Sequence, residues 1–266
     1  IIIGEMRADE GEVILSKGKT MGYLAQHQDL TGHLSIYQEV LTAKQNLIDM
    51  EERLRQMESD MNTKSGAELD ELLSTYTRLS HTFELENGYA YRSEVVGVLK
   101  GLGFSESDFE KQVDSLSGGQ KTRVALGKLL LTKPDIILLD EPTNHLDMDA
   151  VDWLGSYLES YRGTVMIISH DRWFIDQCCD RVIEIHDCTC DFYNGNYSYY
   201  AVERERRREE QLKHHEHELA EKKRLEATAR SMHEHGTEHL AKRAASIEKR
   251  IARMKVTDRP KTDKKM

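Results

Sequence analysis

The sequence predicts an α/β fold: a parallel sheet with helices, a helical insertion near the start, and a charged helical hairpin at the end. Two observations predict the sheet. Residues 136–139 and 164–168 are short apolar runs, "IILL" and "TVMII", and continuous apolar runs are typical of strands buried in a parallel sheet. Helical periodicity separates these runs, and strands that alternate with helices indicate a parallel α/β sheet.

The first 131 residues are predicted to contain short strands followed by helices. Residues 11–30 favour two strands, "GEVILSKG" and "KTMGYLAQ". From Ser35 the apolar side chains recur every three to four residues, with one break at residues 64–66, which predicts an inserted hairpin of two long amphipathic helices over 35–86. Residues 87–131 then favour two further helices, the second from about Gln120 to Leu131.

The end of the chain changes from a mixed to a strongly charged composition. After a predicted helix at 149–161 and the strand at 164–168, residues 201–232 favour one charged helix, and Gly236 suggests a turn. A second helix is predicted from an a/d seam of about two heptads. Its members are Leu240, Ala244, Ile247, Ile251 and Met254. The tail "VTDRPKTDKKM" is predicted to be an unstructured basic linker.

Charge is distributed unevenly along the chain. The net charge is −10, yet residues 201–266 hold 19 lysines and arginines against 13 acidic residues, whereas residues 1–200 hold 18 against 34. An acidic body with a basic tail suggests that the tail contacts a polyanion. No apolar run approaches the roughly 20 residues of a membrane span, and no signal peptide is visible, so a cytoplasmic location is expected.

Cysteine and histidine patterns do not predict a metal site. The four cysteines form an adjacent pair and a Cys-x-Cys, which is not a zinc-finger spacing, and reduced thiols near a pair of strands are expected. Six histidines lie between His214 and His239 at irregular spacing. A solvated helix explains them better than metal binding does.

The stretch "SKGKT" contains the Gly-Lys-Thr ending of a phosphate-binding loop, but not the rest of that motif. Such a loop needs a glycine five residues before Gly18, because the backbone must turn and aim successive N–H groups at the phosphates. Val13 stands at that position, and the residues that follow Thr20 are apolar and β-prone rather than helical. A polar turn that leads into a strand is predicted instead.

The segment "LLDEPTNHLD" places two adjacent carboxylates, Asp140 and Glu141, at the C-terminal end of an apolar strand. Ligands of open parallel sheets bind at that end of the strands. One carboxylate can hold Mg²⁺, directly or through water, while the next can polarise an attacking water. His170 ends the second apolar strand and could reach a γ-phosphate or that water.

The segment "LSGGQ" supplies a hydroxyl, two small residues and the start of a helix. Ser117 suits an N-cap, and the backbone N–H groups of Gly118, Gly119 and Gln120 favour a phosphate at the helix N-terminus. Gln26, at the end of "GYLAQ", could ligate Mg²⁺ or sense the γ-phosphate. A structural role explains each of Gln26, His170 and this helix start when it is considered alone, but their order along the chain is informative.

In that order, the motifs closely resemble the ATP-binding cassette (ABC) ATPases over residues 1 to about 200. The matching positions are the Q-loop at Gln26, the signature at Leu116–Gln120, Walker B at Ile136–Asp140, the catalytic base at Glu141, the D-loop at Leu146-Asp147 and the switch histidine at His170. The resemblance implies ATP and Mg²⁺ as cofactors, with Asp140 and Gln26 at the metal and Gln26, Ser117, Gly118, Gly119, Gln120, Asp140 and Asp147 at the nucleotide.

"DEPTNHLD" further resembles the ABC-F class, as in bacterial translation factors of that class. The insertion at 35–86 lies where the ABC-F arm is inserted, and residues 201–266 resemble the linker between two cassettes. The class implies no membrane span, two cassettes in one chain, and contact with ribosomal RNA and tRNA through the arm and linker. A Walker A loop is then expected before Ile1 and a second cassette after Met266, and the chain alone is expected to bind and hydrolyse ATP poorly.

The sequence is also compatible with other functions. An ABC-F-like ATPase that acts on DNA would have the same cassette and a basic segment, since phosphate contacts carry no sequence information. The ATPase subunit of a transporter is a further alternative, against which the arm and the linker argue. Whether the protein protects against antibiotics or regulates ordinary translation also stays open, and the short arm favours the second role.

Overall fold

The computed structural model describes residues 1–24, 33–186, 188–234, 238–255 and 257–259, for residues 238–240 only the backbone. The chain divides into two compact units, Ile1–Cys179 and Asp180–Met266. The boundary predicted between cassette and linker, at residues 200 and 201, stays a prediction.

A three-stranded parallel sheet lies at the centre of the first unit. Its strands are β1 (Met21–Leu24), β2 (Ile136–Asp140) and β3 (Thr164–Ile168), in that order across the sheet. In the register, Leu139 is opposite Ile167 and Asp140 is opposite Ile168, so β2 and β3 end side by side. The predicted parallel α/β sheet is confirmed.

The prediction of a strand in "GEVILSKG" is wrong. Residues 12–16 have no regular structure, Ile14 is exposed, and Gly11 and Gly18 both have a positive φ near +80°. A strand is stable only beside a partner, and within this segment β1 alone pairs with β2. In the second predicted strand, "KTMGYLAQ", β1 (Met21–Leu24) begins two residues later than expected, while the predicted end at Ala25 and Gln26 lies outside the described residues.

Helices follow β1 as the periodicity predicts, with one interruption. Helix α1 (Ile36–Leu41) passes through a short 3₁₀ turn (Thr42–Lys44) into α2 (Gln45–Met61), and α3 (Ala67–Leu85) returns antiparallel to it. We call α2 and α3 the arm. A small apolar cluster of Leu47, Leu54, Phe83 and Tyr91 holds its base.

The main core lies between the sheet and the helices on one of its faces. Those helices are α4 (Tyr91–Gly101), α5 (Gly118–Thr132), α6 (Met148–Glu159) and α7 (Arg172–Cys178). Leu99, Leu130, Ile137, Leu154 and Phe174 are fully buried members of the core. The other face of β3 is open, with Met166 and Ile168 exposed.

The second unit consists of a β-hairpin and a helical hairpin. Strands β4 (Val182–His186) and β5 (Thr189–Tyr193) are antiparallel, and α8 (Tyr197–Glu234) packs along α9 (Glu238–Arg253). The charged helical hairpin is therefore confirmed. Ala244 of the predicted seam is fully buried, whereas the Leu240 side chain and the predicted turn at Gly236 lie outside the described residues.

The start of the predicted tail is held against α8. The backbone N–H of Thr257 donates to Glu218, 2.7 Å away, and the Thr257 carbonyl contacts His215 Nδ1 at 2.6 Å. Residues 257–259 have no regular secondary structure, and most of the rest of "VTDRPKTDKKM" lies outside the described residues.

Candidate functional site

Two neighbouring strands deliver the candidate catalytic side chains to one edge of the sheet. Asp140 is the last residue of β2, and Ser169-His170 follow β3 directly. The Glu141 N–H donates to the Ile168 carbonyl at 2.7 Å, so the residue after β2 is fixed against the end of β3. Parallel pairing therefore brings together residues that are 29 positions apart in sequence.

Glu141 contacts His170 through both of its carboxylate oxygens. The His170 N–H donates to Oε2 at 3.3 Å, and His170 Nε2 lies 3.4 Å from Oε1. The Glu141 side chain is only 21% exposed, whereas that of His170 is 99% exposed. The carboxylate is thus held in place while the imidazole faces outward, an arrangement that can accept a proton from water and orient a bound phosphate.

The backbone of Glu141 adopts a conformation that is unusual for a non-glycine residue. Its φ is +48°, and Pro142 follows it. Left-handed non-glycine residues cost about 1–3 kcal/mol each and persist where surrounding contacts enforce them, often at functional sites. Here the contact with Ile168 enforces the conformation.

Asp140 fits the metal-binding role that the resemblance implies. Its carboxylate makes no hydrogen bond or ion pair with any of the residues that the structure describes. Carboxylate and amide oxygens are the hard donors that Mg²⁺ prefers, so Asp140 and Gln26 form a suitable donor set. Gln26 itself lies outside the described residues, and its role stays a prediction.

The "LSGGQ" segment forms the capped start of α5. Ser117 Oγ accepts from the Gln120 N–H at 3.3 Å, and Gln120 Oε1 accepts from the Ser117 N–H at 3.0 Å, which is a capping box. Ser117 and Gly118 are exposed, and a Cβ on Gly118 would meet nothing within 4 Å. The helix N-terminus is therefore open to an anion that approaches from outside.

His145 is a residue that the sequence reasoning missed. Its ring lies against Gly119, where an added Cβ would be only 2.8 Å from His145 Cγ. His145 also has a positive φ, +70°. The turn between β2 and α6 therefore places Glu141 beside His170, and it places His145 beside Gly119 of the signature. A lone histidine in a polar segment gives no periodic signal, so only the spatial contact with Gly119 identifies it.

Asp147 caps α6 rather than facing His170. Its Oδ1 accepts from the Ala150 N–H at 2.9 Å. An added Cβ on Gly103 would lie 3.3 Å from Asp147 Oδ2, so Asp147 lies beside the loop that follows α4. The candidate residues thus form two contact groups: the predicted pair Glu141 and His170 at the strand ends, and the predicted Gly119 with His145, which was not predicted, at the start of α5.

The "SKGKT" stretch anchors β1 at the opposite end of the sheet. Lys19 Nζ lies 2.6 Å from Asp135 Oδ1, and Thr20 donates to Asp135 Oδ2 from its N–H at 2.9 Å and its hydroxyl at 3.1 Å. The Lys19 ammonium and these hydrogen bonds lower the pKa of Asp135 from 3.8 to about 2. Asp135 precedes β2, whereas Asp140 ends it. The prediction of a polar turn that leads into a strand is confirmed.

In the part of the chain that the structure describes, the cysteines and histidines do not gather into a second centre. All four cysteines are free thiols. His214 and His215 contact Thr257, and His233 pairs with Glu248 across the helical hairpin. Among the described residues, no three histidine, cysteine or acidic side chains lie where they could share a metal ion.

Known proteins are similar to this chain over most of its length. Two family models described as ABC transporter match the chain, one on residues 1–144 and one, an extension model, on residues 183–266. YdiF of Bacillus subtilis is 44% identical over all 266 residues, which are 41% of its own length. The tylosin resistance ATP-binding protein TlrC of Streptomyces fradiae is 34% identical over 85% of this chain and 42% of its own.

A plant relative carries the F family in its name. ABC transporter F family member 5 of Arabidopsis thaliana is 34% identical over 76% of this chain and 30% of its own length. The chain thus spans less than half of each of these relatives. Within the described residues no helix is both long and apolar enough to cross a membrane. The chain belongs to the ABC transporter family of ATP-binding proteins, and its cassette with a following extension is the arrangement typical of the ABC-F class.

Proposed function

We propose that the chain works as one ATPase cassette, with its linker hairpin, of an ABC-F protein that binds ribosomes and couples ATP hydrolysis to translation. The observation that carries the catalytic half of this proposal is the contact between Glu141 and His170 at the ends of β2 and β3. Family membership supports ATP as the substrate.

Each candidate residue at the ends of β2 and β3 has a distinct role in the proposed hydrolysis. Glu141 accepts a proton from the water that attacks the γ-phosphate, and its contact with the His170 backbone keeps the carboxylate oriented. The exposed His170 imidazole reaches the γ-phosphate or the attacking water. Bound Mg²⁺ would neutralise phosphate charge, and Asp140 and Gln26 are the residues that would hold it.

The signature serves a different nucleotide in this proposal. Ser117 and Gly118 are exposed at the start of α5, and Gly119 follows them beside His145. N–H groups and the helix dipole attract phosphate at this helix start. The ATP that these residues contact would be held by a second cassette of the whole protein. Gln120 would keep the capped helix start in place, and Asp147 would lie where the two cassettes meet. Because the Glu141 site also needs a phosphate-binding loop, the chain by itself should bind and hydrolyse ATP poorly.

The ribosome is proposed as the partner from the distribution of charge. Residues 239–266 carry ten basic and three acidic residues, which suits RNA, whereas the arm region, residues 45–85, carries nine acidic and four basic residues. The basic end of the chain therefore supplies the contact with rRNA or tRNA, while the acidic arm suits a basic surface of the ribosome. TlrC, a relative named for tylosin resistance, makes antibiotic resistance a specific variant of this role.

An ABC-F-like ATPase that acts on DNA is the second candidate, and the same basic residues favour it. The experiment uses the two-cassette protein with Glu141→Gln and the equivalent change in the other cassette, so that ATP is bound but hydrolysed slowly. The protein is sedimented with 70S ribosomes, with and without ATP, at two salt concentrations and with duplex DNA as competitor.

ATP-dependent co-sedimentation that survives the DNA competitor is the expected result. Binding to DNA with no ribosome association would replace the ribosomal proposal with the second candidate. Recovery with a membrane partner instead of either polyanion would favour the ATPase subunit of a transporter.

A further inference from the structure

The arm joins the cassette at a junction that packs directly on α5. Helix α1 leads into the arm and α4 leaves it, and both lie against the middle of α5 at Gly127. A Cβ on Gly127 would be 3.2 Å from Leu102 and 3.5 Å from Val98, so the helices approach closely. Because this junction is closely packed, a movement at the base of the arm would displace α5 as well.

An ion pair between a buried glutamate and a partly exposed lysine crosses this junction between α1 and α5. Glu39 has no exposed surface, and its Oε1 lies 2.6 Å from Lys128 Nζ. Its Oε2 has no hydrogen-bond partner among the described residues. Burying a charged group with an unsatisfied oxygen is costly, and apolar residues of similar volume commonly stabilise such a site as well or better. Stability alone therefore does not explain Glu39.

A second ion-pair cluster links the same parts through α4. Glu94 is contacted by Lys44, at 3.1 Å from the 3₁₀ turn before the arm, and by Lys133, the residue that caps the C-terminus of α5. Burial would raise the pKa of Glu94, but the hydrogen bonds from Lys133 and Lys44 outweigh it and lower the pKa below its ordinary value. The carboxylate is therefore charged and shared between the arm base and α5.

The arm itself is attached to α4 one turn earlier. Glu51, on α2, accepts from the Tyr91 hydroxyl at 2.6 Å and from Arg92 at 2.9 Å. These two hydrogen bonds lower the pKa of Glu51. Charged contacts thus join the arm to α4 at Glu51, and join α4 to the end of α5 at Glu94.

We propose that Glu39 is a positioning residue that, beside the contacts of Glu94, transmits a displacement of the arm to the signature. Helix α5 is a rigid rod of 15 residues with Ser117 capping its other end. A shift at Lys128 and Lys133 moves the signature, and with it the ATP site that the signature completes. Contact between the arm and its partner then sets the hydrolysis rate. This inference rests on the proposed function.

The test measures ATP hydrolysis by the two-cassette protein with and without ribosomes, together with ribosome affinity and the KM for ATP. The first variant is Glu39→Gln, which leaves Lys128 without its partner. The second is a double variant, Glu39→Leu with Lys128→Met, which keeps the junction packed with apolar side chains in case the first variant does not fold. Glu58→Gln is the matched control, because it removes a carboxylate that binds Tyr76 at 2.7 Å within the arm.

The expected result is a loss of about fivefold or more in the ratio of ribosome-stimulated to basal hydrolysis, within the usual range of coupling between sites. Basal kcat, the KM for ATP and ribosome affinity should stay as in the wild type, and the control should keep its full ratio. Full stimulation of both junction variants, with binding intact, would overturn the inference alone. A wild-type protein that ribosomes neither bind nor stimulate would overturn the proposed function and the inference with it.

Discussion

Glu141 and His145 define the site at the scale of single residues. Both have a positive φ, +48° and +70°, within the turn that joins β2 to α6. The Asn144 N–H donates to the Glu141 carbonyl at 3.1 Å, which closes this turn on itself. One tight turn therefore aims a carboxylate at His170 and an imidazole at Gly119, and strain in its backbone is the cost of serving both.

The two signature glycines should respond in opposite directions to alanine. We expect Gly118→Ala to raise the free energy of unfolding by about 0.5–1 kcal/mol, because alanine reduces the freedom of the unfolded chain and meets no neighbour. Gly119→Ala should lower it by about 1–3 kcal/mol, since its Cβ would lie 2.8 Å from His145 Cγ. Urea denaturation of the chain measures both.

A double variant identifies the cause of the Gly119 effect. If the clash is with the ring, His145→Ala should recover most of the stability that Gly119→Ala loses. Equal loss in the presence and absence of the His145 ring would show that the contact described here does not constrain Gly119.

The sequence could identify part of this site and not the rest, for reasons visible in these residues. Asp140, Glu141 and His170 each follow an apolar strand, so their position at one edge follows from parallel pairing. His145 lies in a polar segment without periodicity, and its contact with Gly119 joins two loops that are remote in sequence. Glu39 repeats this difficulty, because one glutamate in an amphipathic pattern does not reveal that it is fully buried.

At the scale of elements, β1 shows how much a short strand depends on one anchor. The wrong prediction over residues 11–18 arose because local β propensity is a weak guide without a pairing partner. β1 has only four residues, and Asp135 holds its start through Lys19 and Thr20. Because this anchor depends on a charged carboxylate, a change of pH tests it more directly than the substitution of a buried side chain does.

The contribution of Asp135 to stability should disappear in acid. Its pKa is about 2 in the folded chain against an ordinary value of 3.8, so the carboxylate stabilises the fold above pH 4 and this contribution is lost as the pH falls towards 2. We expect the difference in unfolding free energy between wild type and Asp135→Asn to be largest above pH 4 and to shrink below it. A difference that stays constant from pH 5 to pH 2.5 would contradict the anchor.

The helical hairpin gives a second prediction at this scale. Ala244 of α9 is fully buried against α8, while its neighbour Ala245 is exposed. Ala244→Glu should separate the two helices, at a cost of about 2–4 kcal/mol for a buried unpaired charge, and should lower the thermal midpoint of helix content measured by circular dichroism. Ala245→Glu is the matched control and should change the midpoint little. Equal effects would contradict the packing.

At the scale of the whole molecule, the two proposed contact surfaces carry opposite charges. Lys249 and Arg253 are exposed on α9 and pair with none of the residues that the structure describes, whereas the arm is acidic. We expect the double change Lys249→Gln with Arg253→Gln to weaken ribosome binding and to reduce the slope of log affinity against log salt by about 2, roughly one for each phosphate contact.

A variant in the arm serves as the control for that experiment. Arg53→Gln removes one positive charge from an exposed position of α2 and should leave the salt slope unchanged. If the arm variant reduced the slope and the α9 variant did not, the polyanion would lie at the arm instead.

A single-turnover measurement can show whether the strand ends around Glu141 hydrolyse ATP, as proposed. In the two-cassette protein, Glu141→Gln with the equivalent change in the other cassette should slow hydrolysis of bound ATP by about 10²–10⁴-fold, because the amide cannot accept a proton. ATP affinity should be retained, and the variant should stay on ribosomes. Glu159→Gln, at the exposed end of α6, is the control. Hydrolysis by the Glu141 variant within about twofold of wild type would contradict the account.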